Sequence, residues 1–234
     1  VDDVYAAKSA GADRVELNSS MFLGGITPSV GAVKVAKKTG IELMAMVRPR
    51  EGGFCYTENE YASMLEDAKS LISAGADGIV FGFLHEDGTV NEERCVEMMK
   101  VIGDKTSVFH RAIDVVPDWR KAMDILCRIG VKRVLTSGQN PSVYFGAATV
   151  KAMREYANGR IEILPGAGFT PDNAKDILNA TGCDQMHIAL PKVCTDTSTA
   201  NNSEIYFGGA LYPPEDKFMM TDKDKVAALV KRLK

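Results

Sequence analysis

Two stretches of the chain share one pattern: Ser9-Ala-Gly-Ala-Asp-Arg-Val-Glu-Leu17 and Ser73-Ala-Gly-Ala-Asp-Gly-Ile-Val-Phe81. In each, an amphipathic run ends at a glycine, and a short turn leads into an apolar or β-branched run. Glycine suits that place because a helix C-terminus needs a positive φ that other residues adopt only with strain. The same element recurs at Gly40, Gly103, Gly130, Gly159 and Gly182. Together with Gly11 and Gly75, the steps are 29, 35, 28, 27, 29 and 23 residues. That spacing matches one strand plus one helix. The strand candidates are Arg14–Leu17, 41–47, Gly78–Phe81, Thr106–Phe109, Arg133–Thr136, 160–164 and 185–189.

Helix starts are marked as well. Thr27-Pro28 and Thr170-Pro171 each place a capping hydroxyl before a proline, and Thr57-x-x-Glu60 has the form of a capping box. Between Glu60 and Ile72 the apolar residues Tyr61, Met64, Leu65, Ala68, Leu71 and Ile72 follow the helical period. Strict alternation of helix and strand implies a parallel sheet. The near-equal steps, and the lack of a G-x-G-x-x-G turn, favour an α/β fold closed into a TIM (β/α)8 barrel, one domain over 1–234. Eight helices are expected, the last at 222–233, but only seven strands. An open parallel barrel would leave unpaired edges. A first strand is therefore expected upstream of Val1, or another segment closes the gap.

Composition narrows the function classes. Of 234 residues, 45% are hydrophobic and 25% charged, with a net charge of −3 and no Lys/Arg run longer than two. Nucleic acid is not an expected partner. The longest stretches without Asp, Glu, Lys or Arg, 17–33 and 134–150, are broken by Gly, Pro and Asn, so no membrane span is expected. The five cysteines (Cys55, Cys95, Cys127, Cys183, Cys194) are odd in number and lack C-x-x-C spacing, which reads as reduced thiols in a cytosol.

The loops that enter strands are tiny, whereas those that leave them are long: 18–26, 48–56, 82–90, 110–116, 137–141, 165–169, and an excursion over 190–220. In such barrels the chemistry sits at the strand C-terminal ends. Those ends carry Arg48, Arg50 and Arg111 as bidentate anion donors, and Ser137, Gly138 and the turn Gly166-Ala167-Gly168 as sources of backbone N–H groups. Glu16, His110 and Asp114 are the candidate catalytic acid–base groups. No lysine lies in a strand candidate, so a Schiff-base aldolase lacks its nucleophile. The expectation is one anion-binding mouth holding all these residues. There three guanidiniums outnumber two carboxylates, and a small phosphorylated or carboxylated ligand completes the charge. The alternatives are that the arginines only tie loops to Glu51 or Asp114, and that the glycine turn is only a turn. His187 reads as a core histidine, and Met44 and Met46 as barrel filler.

The rim and turn blocks also resemble the CutC copper homeostasis protein family. The matching stretches are Gly11-Ala-Asp-Arg-Val-Glu-Leu17, Gly24-Gly-Ile-Thr-Pro-Ser29, Met46-Val-Arg-Pro-Arg-Glu-Gly-Gly-Phe-Cys-Tyr56, Gly75-Ala-Asp-Gly-Ile-Val-Phe-Gly82, Phe109-His-Arg-Ala-Ile-Asp114, Arg133-Val-Leu-Thr-Ser-Gly138 and Gly166-Ala-Gly168. The resemblance implies a TIM-type barrel and a cytoplasmic protein linked to copper, commonly a homo-oligomer, with no defined reaction. The family often carries a cysteine where this chain has Asn18, and another on the first strand. Cu(I) selects thiolates, so Cys55, with Cys194, is left as the rim candidate for metal. The function classes carried forward are therefore copper binding, or a barrel enzyme acting on a small anion.

Overall fold

The computed structural model describes residues 1–208 and 213–233. The first six strand candidates form strands: β1 (Arg14–Leu17), β2 (Glu42–Met46), β3 (Gly78–Phe81), β4 (Thr106–Phe109), β5 (Arg133–Thr136) and β6 (Glu162–Pro165). They pair in chain order in one parallel sheet. The helix α1 (Asp2–Ser9) precedes them, α2 (Val30–Ala36), α3 (Glu58–Ser73), α4 (Glu92–Ile102), α5 (Trp119–Arg128) and α6 (Val143–Ala157) run between them, and α7 (Ala174–Thr181) follows. This is the curled sheet and alternating helix layer of a TIM-type barrel.

The alternation of side chains along a strand divides the apolar interior into two. Met44, Met46, Val80, Val108, Leu135 and Leu164 form their own cluster, the filling of the barrel. The residues between them, such as Leu43, Ala45, Ile79, Phe81, Val134 and Ile163, join the larger cluster beneath the helices. Gly78 is needed on β3 because a Cβ there would lie 2.4 Å from the Thr106 carbonyl oxygen and 2.6 Å from Met44 Sδ. At the entry end of the barrel the inward positions are polar. Arg133 pairs with Glu162 at 2.6 Å, and Arg14 bonds Gln185.

Three expectations are corrected. Residues 185–189 do not form a strand: one parallel bridge, Gly166 to His187, marks the position. A strand is held by a run of bonds to a neighbour, and among the described residues this segment makes only that single bridge. The space between it and β1 is spanned by side chains, Arg14 to Gln185 and Glu16 to His187. The excursion over 190–220 is not all loop. It contains β7 (Pro191–Thr195) and β8 (Lys217–Thr221), an antiparallel pair outside the main sheet, before α8 (Lys223–Leu233); residues 209–212 within it lie outside the described residues. Helices α2 and α7 start later than the Thr-Pro steps suggest. Ser29 caps α2 by accepting from Ala32 N, while Thr170 and Asn173 bond each other reciprocally ahead of α7.

Candidate small-molecule site at the barrel mouth

The loop after β2 is organised by its arginines. Arg50 lies against Glu60 of α3, with Nε 2.5 Å from Oε1 and Nη2 3.2 Å from Oε2, and its other contacts are the carbonyls of Glu51, Gly53 and Cys55. The bond from Arg50 holds Glu60 below the usual carboxylate range. The charge count behind the expected three-arginine pocket thus omitted one carboxylate, and Arg50 is a loop clasp. Arg48 turns inward, 7% exposed. Its Nη1 donates to the carbonyls of Leu23 and Gly25, and its Nη2 to that of Gly52. It therefore ties the loop after β1 to the loop after β2.

His110 ends β4 fully enclosed. Its ring lies across Gly82, where a Cβ would fall 2.4 Å from Cε1, and packs against Phe54 with centroids 4.7 Å apart. Burial first, and then the Arg48 charge, push its pKa down to about 3. Nδ1 accepts from Ala112 N at 3.1 Å, so Nε2 carries the ring proton. At physiological pH His110 is therefore neutral and presents Nε2–H as a hydrogen-bond donor.

Asp114 is anchored rather than poised. Its carboxylate accepts from Thr136 Oγ1 at 2.5 Å, from Ser137 N at 2.9 Å and Oγ at 2.9 Å, from Gln139 N at 3.1 Å and from Arg111 Nε at 2.8 Å. Held by these donors, the carboxylate joins the loops after β4 and β5. Arg111 is held at two points, Nε on Asp114 and Nη2 on Ser137 Oγ at 2.7 Å. Its side chain is still 42% exposed, and Nη1 has no hydrogen bond to a described residue.

Several expected backbone donors are already engaged. Ser137 N serves Asp114, Gly138 N serves Thr136 Oγ1, and Gly166 N serves the Thr136 carbonyl. Beyond Gly166, Ala167 takes φ +68° and its carbonyl accepts from Val143 N at the start of α6. The Ala167 and Gly168 N–H groups have no hydrogen bond to a described residue.

Glu16 on β1 is nearly buried. Its Oε2 lies 3.9 Å from His187 Nδ1, and its Oε1 accepts from Asn18 Nδ2 at 3.4 Å. Glu16 and His187 thus face each other beyond direct hydrogen-bond distance. His187 had read as core. What reveals its place is the bridge to Gly166, which sets it beside a turn already singled out, and that bridge is not visible in the alternation of its own segment.

The residues do not fit a thiolate copper centre. Among the described residues no three His, Cys, Asp or Glu side chains converge. Cys95 and Cys183 are buried and Cys127 half-buried, all with thiols pushed up by burial, whereas a soft metal needs the thiolate. Cys55 is exposed on the loop after β2, and Cys194 sits on β7.

With this geometry in place, comparison with known proteins is informative. The CutC family model matches residues 1–191. A family protein CutC of Treponema denticola is 53% identical over 233 residues, covering 99% of this chain and 95% of that protein. The human copper homeostasis protein cutC homolog is 37% identical over 230 residues, covering 98% and 84%. A CutC crystal structure from Streptococcus agalactiae superposes with a TM-score of 0.72 at 35% identity, covering 75% and 87%. A match running from the first helix through the His187 segment takes in every rim residue described above, and the chain belongs to the CutC family.

Proposed function

We propose that this chain serves copper homeostasis, the role named for its relatives, by binding a small phosphorylated or carboxylated molecule at the barrel mouth. The observation that carries this reading is Arg111, pinned by Asp114 and Ser137 so that one guanidinium nitrogen is left for a ligand. A donor fixed in advance loses little freedom on binding, which favours recognition of an anion. The Ala167 and Gly168 N–H groups stand on the neighbouring loop of the same mouth. If the bound molecule is also turned over, Glu16 with His187 moves the proton, and His110 donates a hydrogen bond without titrating.

The test is thermal unfolding of the purified chain with phosphate, sugar phosphates and small carboxylates, compared with Cu(I) under reducing conditions. A ligand specific to the native state raises the melting temperature by mass action. Stabilisation by the anions that Arg111→Ala abolishes supports this reading. Stabilisation by Cu(I) alone would replace it with direct copper binding through Cys55.

A further inference from the structure

Four buried side-chain polar atoms have no hydrogen-bond partner among the described residues. One, Arg133 Nη1, is at the entry end of the barrel. The others are Arg48 Nε, Tyr56 Oη and His110 Nε2, and they belong together. Phe54 packs on His110 at 4.7 Å and under the Arg48 guanidinium at 5.7 Å. The Tyr56 phenol lies beside Arg48, close enough for the guanidinium charge to act on it. We propose that Arg48, Tyr56 and His110 enclose a deep subsite for one small carboxylate group, with the Phe54 ring as its cover. The subsite rests on the reading of the mouth as a small-molecule site, and it adds a chemical class to that reading.

Charge and polarity give the class. Arg48 is nearly buried, its three bonds go to neutral carbonyls, and it has no ion pair among the described residues. A buried cation without a counter-charge is costly, and a bound anion relieves it. All three orphan atoms donate. Arg48 Nε carries a proton permanently, His110 Nε2 carries one because Nδ1 accepts from Ala112 N, and Tyr56 stays protonated, its pKa pushed up to about 12 by burial. Three donors without an acceptor suit a ligand that only accepts. The two oxygens of a carboxylate match them, whereas the further oxygens of a phosphate would be buried against Phe54 and Phe83, the latter packed edge-on to Tyr56.

Access requires only a side-chain movement. Phe54 follows Gly52-Gly53, and its carbonyl is anchored by Leu84 N at 3.0 Å. Rotation of the half-buried ring would open the subsite with the loop backbone held in place.

The experiment follows side-chain N–H resonances in the full chain labelled with 15N-histidine and 15N-arginine, titrated with sodium acetate, sodium phosphate and sodium chloride. Acetate is expected to shift the His110 Nε2–H signal, and chloride to leave it unmoved. Phe54→Ala should tighten acetate binding by about tenfold, near 1.4 kcal/mol, and adding Tyr56→Phe should weaken it again by a similar factor. A His110 signal indifferent to acetate in both the wild type and Phe54→Ala overturns the subsite, and a buried water then accounts for the orphan donors. The Arg111 Nε–H signal reports on the rim separately. A phosphate response at Arg111 with no acetate response at His110 refutes the subsite alone, and an acetate response at His110 with no anion response at Arg111 refutes the rim reading alone.

Discussion

Glu60 grips Arg50 with both oxygens while closing the capping box of α3: Oε1 lies 2.5 Å from Arg50 Nε, and Oε2 also accepts from Thr57 N at 2.8 Å. The residue that starts the helix thus fixes the loop before it, and Arg50 is withdrawn from ligand binding. Thr57→Ala, which removes the hydroxyl accepting from Glu60 N, should cost about 1 kcal/mol of stability. Phosphate affinity should not change. Chemical denaturation and a phosphate titration of the same variant check both halves; weakened phosphate binding would return Arg50 to the site.

The buried histidine carries a pH signature. The unfolded His110 takes up a proton near 6.5, whereas the folded one does so only near 3. Between these values the unfolded state binds more protons, so stability falls as pH falls, by about 1.4 kcal/mol per pH unit from this one group. Above pH 6.5 it contributes no slope. The difference in unfolding free energy between the wild type and His110→Gln, followed from pH 7 to pH 4, should show that slope. Parallel curves would mean that His110 titrates normally.

Asp114 holds two loops through five donors, so Asp114→Asn, which turns an acceptor-only group into one with donors facing donors, should cost about 3 kcal/mol. Arg111→Ala should cost far less stability, since its side chain is 42% exposed, and should abolish anion-induced stabilisation. Thermal unfolding of both variants with and without phosphate separates the anchor from the ligand donor. Equal phosphate response in wild type and Arg111→Ala would remove Arg111 from the site.

A methyl group on Gly82 would strike the His110 ring at Cε1 and Nδ1. Gly82→Ala is expected to destabilise by about 1–3 kcal/mol and to move the histidine resonances, because neither the ring nor the strand beneath it has room to yield. Unchanged spectra would show that the ring does not rest on β3.

Cys55 stands exposed, and among the described residues no three His, Cys, Asp or Glu side chains converge on it. Cu(I) competition titrations should give the same affinity for the wild type and for Cys55→Ser. A loss of tenfold or more would place copper on this loop after all.

The sequence by itself determined the barrel. Glycines at regular steps mark helix ends whatever lies around them, because a positive φ is a property of the local backbone. The Thr57-x-x-Glu60 box and the alternation of Met44 and Met46 inward with Leu43 and Ala45 outward are equally local. The candidate rim residues share one place in the pattern, near the C-terminal ends of strands or in the loops that leave them. Their roles were not legible in that pattern. Arg14 meets Gln185 across 171 positions, and Arg111 meets Ser137 across 26. Whether an arginine is clasped, buried or open depends on such distant partners. His110 lost its acid–base character to a ring and a guanidinium supplied by another loop, Phe54 and Arg48. Residues 185–189 have the composition of a strand, yet a strand needs a ladder of bonds to a neighbour, this segment makes one bridge, and only folding decides how far two segments run side by side.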